Sequence, residues 1–161
     1  MPPEGRRAER LLRRLDTAWA EFNESYGGLP DARLLEPGVV GDWSVKDVLA
    51  HVNTWEEEAL EHLPVILRGG TPPRYVTYGG IDAFNARMTG RKRELPLSDV
   101  RRRLDETHRR LVELIRSAPA EQLAGETRFR RRLRLDTYGH YPLHADAIRK
   151  WRSRGSSPPP R

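Results

Sequence analysis

Apolar residues recur at helical spacing from one end of this chain to the other, and that periodicity constrains its fold more than any other feature. From Glu4 to Tyr26, Leu11, Leu12, Leu15, Ala18, Trp19, Phe22 and Tyr26 share one stripe with Arg and Glu opposite, the pattern of a helix that buries a single face. Gly27, Gly28 and Pro30 end it, because glycine supplies a left-handed cap and proline cannot continue a helix. After a loop to Trp43, Ser44 caps a second helix and Asp47 complements its positive end. The stripe Val45, Val48, Leu49, Val52, Trp55, Ala59, Leu60 and Leu63 carries that helix to about Leu67, with Pro64 bending or ending its last turn.

The glycines and prolines of residues 68–80 mark a loop with no regular element, and a loop this long in a small domain is often functional. A short helix over Ile81–Arg93 places Ile81, Phe84 and Met88 on one side. A third long helix over Ser98–Ser117 buries Val100, Leu104, Leu111, Leu114 and Ile115, and Ala118-Pro119-Ala120 stops it. After a turn at 121–123, Phe129, Leu133, Thr137, His140, Tyr141, His144, Ile148 and Trp151 predict a fourth long helix over about 131–152. Pro142 removes an N–H inside that span, so the helix must kink there or begin later. No strand pattern appears. The expectation is an all-α four-helix bundle with one short extra helix between helices 2 and 3, a single domain over 1–152 and a disordered tail over 153–161.

Composition narrows the chemistry. At 161 residues the chain can bury one core without staples. It has no cysteine, which excludes disulfides, thiolate nucleophiles, zinc ribbons and iron–sulfur clusters, so any metal must bind nitrogen or oxygen. There is no transmembrane-length apolar run and no secretory h-region near the amino terminus, and the expectation is a cytoplasmic protein without a membrane partner. Lys+Arg number 29 against 23 Asp+Glu, and only Lys46, Lys92 and Lys150 are lysines. The arginines of 128–134 would be the contact for a polyanion, but they alternate with apolar residues at helical spacing, and nucleic acid is given little weight as a partner.

His140 and His144 lie one turn apart on one face, close enough to share a metal ion. Two imidazoles facing a core each need partners for both ring nitrogens. Hydrogen bonds to neighbouring helices would supply them, and so would a metal on one nitrogen with a carbonyl or carboxylate on the other. His51, on the rim of the second helix's buried face, is the best third ligand; His62, eleven residues on, reads as surface. His108 falls within the third helix's stripe, as a satisfied core histidine or a lining residue of the same cavity. Glu56 points into the middle of its stripe, where an unpaired carboxylate is costly, and a buried ion pair with an arginine is expected.

The run Pro37-Gly38-Val39-Val40-Gly41-Asp42-Trp43-Ser44-Val45-Lys46-Asp47-Val48-Leu49-Ala50-His51, then Trp55-Glu56, resembles the helix 2 signature of the DinB/YfiT-like four-helix-bundle superfamily. Ile81-Asp82-Ala83-Phe84-Asn85 and His140-Tyr141-Pro142-Leu143-His144 resemble its ClbS/DfsB branch. The likeness spans about residues 5–152. It implies a divalent-metal site on His51, His140 and His144, with coordination positions left open as in a catalytic site. Zinc or nickel suits such ligands, with iron or manganese left open. It also implies a small-molecule substrate, a homodimer as one assembly, and either hydrolysis or transfer of a low-molecular-weight thiol to an electrophile, in detoxification or self-resistance. The ClbS-like branch does not depend uniformly on the metal, so a metal-independent hydrolase, a sequestering protein and a non-enzymatic binding bundle are the alternatives. Trp43, Trp55, Tyr141 and the 68–80 loop would shape the cavity, with Asn85 and Glu56 orienting substrate or water.

Overall fold

A computed structural model describes residues 2–155, which are helical with no strand among them. Helix α1 (Pro3–Tyr26) begins with a proline in its first turn and Glu4 at its positive end. It stops where Gly28 takes φ 77°. A single turn, α2 (Asp31–Leu34), seats Leu34 in the core, and α3 (Val45–Leu67) runs through Pro64. The Ser44–Asp47 pair forms a capping box: the Asp47 N–H donates to the Ser44 hydroxyl at 3.2 Å and the Ser44 N–H to the Asp47 carboxylate at 3.0 Å. Arg93 reaches the same carboxylate at 3.3 Å. Asp47→Ala should therefore cost about 1–2 kcal/mol, read as a lower urea midpoint with unchanged m-value, and Asp47→Asn should cost less.

The 68–80 loop is not wholly irregular, because Tyr75–Tyr78 form a 3-10 turn that lays Tyr75 against Trp55 and Phe84. Then follow α4 (Ile81–Lys92), α5 (Leu97–Ser117) and another single turn, α6 (Ala120–Ala124). The expected fourth long helix is two helices, α7 (Arg128–Asp136) and α8 (Tyr141–Gly155). The chain leaves helical geometry at Thr137, with φ −132° and ψ −104°. Pro142 then falls in the first turn of α8, where its missing N–H has no cost. Gly139 is required by the turn between them: its N–H donates to the Arg134 carbonyl at 2.8 Å, and a Cβ there would lie 2.6 Å from that oxygen. Helix α8 continues through 153–155, beyond the expected domain boundary, and the rest of the expected tail, 156–161, lies outside the described residues.

In the bundle α3 packs between α5 and α7, and α1 lies along α8 and α6. The interior holds Leu15, Phe22, Val48, Leu49, Leu104, Leu111, Phe129, Leu133 and Tyr141. Burial of each such side chain contributes roughly 1.5–3 kcal/mol, so packing of the stripes outweighs the tenths of a kcal/mol at stake in helix propensity. None of the described helices is long and apolar enough to cross a membrane.

Candidate metal centre

Three histidines from two sides of the bundle meet at one point. His51 comes from the second turn of α3 and is only 5% exposed. His140 is the residue just before α8, and its N–H donates to the Thr137 carbonyl at 2.7 Å. His144 lies one turn further on. The Nε2 atoms of His51 and His140 are 3.0 Å apart, and those of His144 and His140 are 2.8 Å apart. Burial pushes the three imidazoles down, to about 2 for His51, 3 for His140 and 4 for His144, with the neighbouring rings adding to the effect at His51 and His140. All three are neutral at physiological pH, the state in which an imidazole ligates metal.

Hydrogen bonding alone does not satisfy this cluster. The single Nε2 position of His140 can offer one proton or one lone pair, and it faces two other Nε2 atoms. The buried Nδ1 atoms of His51 and His140 have no partner among the described residues. No choice of tautomers pairs every nitrogen. A cation about 2.0–2.1 Å from two Nε2 atoms would hold them about 2.8–3.4 Å apart, from right-angled to tetrahedral geometry, and the two spacings at His140 fall within that range. The donor set thus fits a borderline divalent ion such as zinc or nickel. The carbonyl or carboxylate expected to orient the outer nitrogen is not found for His51 or His140.

A cavity of about 290 Å³ adjoins the histidines, lined by His51, Trp55, Tyr75, Ile81, Asn85, Arg132, Leu135, Asp136 and His140. The Trp55 indole N–H donates to the Asn85 side-chain oxygen at 2.9 Å, fixing both. Arg132 donates to the Asp136 carboxylate and to the Tyr75 hydroxyl, each at 2.6 Å. Burial pushes the Asp136 carboxyl up to about 7 against the pull of Arg132. Sequence reasoning missed Tyr75, Arg132 and Asp136. The single-helix reading of 131–152 hid Arg132 and Asp136, because only the break at 137–140 brings α7 beside the histidines.

Trp43 lies against the His51 ring, with centroids 5.0 Å apart, outside the cavity lining. Tyr141 does not shape the cavity as expected. It is wholly buried, and its hydroxyl donates to Glu56 at 2.6 Å. Glu56 is likewise 0% exposed, and its partner is not an arginine but His108, whose Nδ1 lies 3.0 Å from the carboxylate. His108 in turn stacks on Trp19 at 3.6 Å between centroids. Glu56, His108 and Tyr141 therefore form an interior polar cluster of their own. His62 is not a surface residue: it is 7% exposed and bonded to Glu58 at 2.7 Å.

The model of the DinB superfamily matches residues 14–145, well over half of the chain. No protein of curated function matches the sequence. Among solved structures, the colibactin self-resistance protein ClbS in complex with a dsDNA is 18% identical with a TM-score of 0.76, covering 90% of this chain and 94% of that one. The sibling lethal factor precursor DfsB is 15% identical with a TM-score of 0.75, covering 94% and 98%. An uncharacterised protein from Escherichia coli UTI89 is 15% identical with a TM-score of 0.76, covering 94% and 96%. At these identities the three structures establish the shared fold, and together with the match over residues 14–145 they lead to one assignment: the chain belongs to the DinB superfamily.

Proposed function

We propose that this protein is a metal-dependent enzyme acting on an electrophilic small molecule, by hydrolysis or by transfer of a low-molecular-weight thiol. The observation that carries the reading is the convergence of three neutral Nε2 atoms that no tautomer assignment satisfies, at the wall of a cavity large enough for a small molecule. A zinc or nickel ion held by His51, His140 and His144 would supply Lewis acidity and lower the pKa of a coordinated water or thiol. The chain's own groups do the rest. Trp55 and Tyr75 form aromatic walls, and Asn85, locked by Trp55, presents its amide to the cavity. Arg132 offers a cation tethered by Asp136. Ile81 and Leu135 line the cavity while remaining 54% and 70% exposed, which suits a substrate with an apolar body.

The reading is tested by turnover of strained and halogenated electrophiles by zinc- or nickel-loaded protein, with and without a low-molecular-weight thiol. Expected is activity that chelator and His144→Ala both abolish. Activity that survives both would transfer the assignment to a metal-independent hydrolase.

The dsDNA in the ClbS complex raises nucleic acid as a partner here. The arginines of 128–134 do not favour it. Arg128, Arg130 and Arg131 donate to the carbonyls of Gly70, Ala124 and Glu126, Arg132 pairs with Asp136, and Arg134 lies 3.9 Å from Glu126.

A further inference from the structure

A second, basic cleft lies apart from the histidine cavity. Arg7, Arg10 and Arg14 follow one another at i, i+3 and i+7 on α1, beside the buried stripe, and line a cleft of about 440 Å³ with Arg130, Tyr138, Leu11 and Ala124. Among the described residues no carboxylate lines that cleft, and none of its lining residues lines the histidine cavity. Several arginines elsewhere on this surface do pair with acids, Arg13 with Glu9, Arg116 with Asp16, Arg102 with Asp99 and Arg149 with Asp146. Arg7 and Arg10 have no ion pair or hydrogen bond among the described residues, and Arg14 has only the face of Tyr138, 5.0 Å from its guanidinium to the ring centre. Arg130 reaches Glu126 only at 3.7 Å.

Two buried polar atoms in the lining residues also lack partners among the described residues. They are the Arg130 Nε and the hydroxyl of Tyr138, a residue 3% exposed. Four like charges with Glu126 as their one nearby acid, beside two buried donors without partners, leave a repulsion that an anion in the cleft would relieve. Guanidinium groups match phosphate oxygens bidentately. The three arginines of α1 span about 10 Å along the helix axis, too long for one phosphate and suited to two or more in a row. The cleft continues along α1 past Thr17 to Glu21, which closes its far end to further negative charge.

We infer that this cleft is a binding site for a diphosphate group, free as inorganic pyrophosphate or carried by a nucleotide. The test is calorimetric titration with inorganic pyrophosphate, then ADP, at about 20 and 200 mM salt, the range over which phosphate contacts weaken. Expected is one-to-one binding that weakens at least tenfold in Arg10→Ser/Arg14→Ser, whose exposed side chains are dispensable for folding, and that is unchanged in His144→Ala. Tyr138→Phe should leave the melting temperature equal or higher, since the hydroxyl it removes is buried with no partner among the described residues. Tighter binding of ADP assigns the site to nucleotides, and equal binding assigns it to free diphosphate. Absence of binding at 20 mM salt overturns the inference. So does undiminished binding in the double arginine variant, or binding of duplex DNA but not pyrophosphate through these arginines.

Discussion

His51→Ala, His140→Ala and His144→Ala should each abolish zinc and nickel binding in a protein that otherwise takes up about one equivalent per chain. The effect is large because the site has no reserve ligand. The cavity's one carboxylate, Asp136, is tied to Arg132 at 2.6 Å, and Glu56 is engaged by Tyr141 and His108. Losing one of three imidazoles should weaken binding by more than the roughly 10- to 100-fold that losing an outer-shell partner costs. Elemental analysis of untagged protein and its variants reads the stoichiometry, and titration reads the affinity. Metal at a hundred times its Kd should also stabilise the wild type by about 2.7 kcal/mol and the variants by nothing. One equivalent retained at unchanged affinity in His51→Ala would refute the centre.

The histidine pair at 140 and 144 and its partner at 51 were legible because helical spacing places i and i+4 together whatever the tertiary structure, and because His51 flanks a stripe whose core face was plain. The break between α7 and α8 was half legible. Pro142 announced an interruption, but not that Thr137 would leave the helix and Gly139 let Arg134 approach within reach of its N–H. Tyr75, Arg132 and Asp136 depend on that break and on a 3-10 turn in a loop, neither of which periodicity reports. Glu56 was located correctly as buried and given the wrong partner. Abundance of arginine argued for an ion pair, whereas long guanidinium side chains seek the rim, and the carboxylate lies deeper, against groups that α5 and α8 supply.

That burial sets up the second large effect. Glu56→Ala should destabilise the protein by about 3–5 kcal/mol, and Glu56→Gln by markedly less. One oxygen of Glu56 accepts from both the Tyr141 hydroxyl and His108. Alanine leaves those donors buried without an acceptor and opens a cavity beside Trp19 and Phe22, which pack on the same tyrosine. Glutamine keeps the acceptor oxygen and removes only the titratable proton. Its second group replaces an oxygen that has no partner, so the cost there is one unpaired amide. The pH dependence separates the two roles. Burial pushes the carboxyl above its ordinary value of 4.5, opposed by His108 and the Tyr141 hydroxyl, so at intermediate pH the folded protein holds a proton that the unfolded chain has released. That contribution is complete below 4.5 and is lost as pH rises through the folded value. The advantage of wild type over Glu56→Gln should therefore shrink between pH 5 and pH 8 in urea melts. A difference that stays constant over that range would mean that Glu56 is ionised in the folded state throughout.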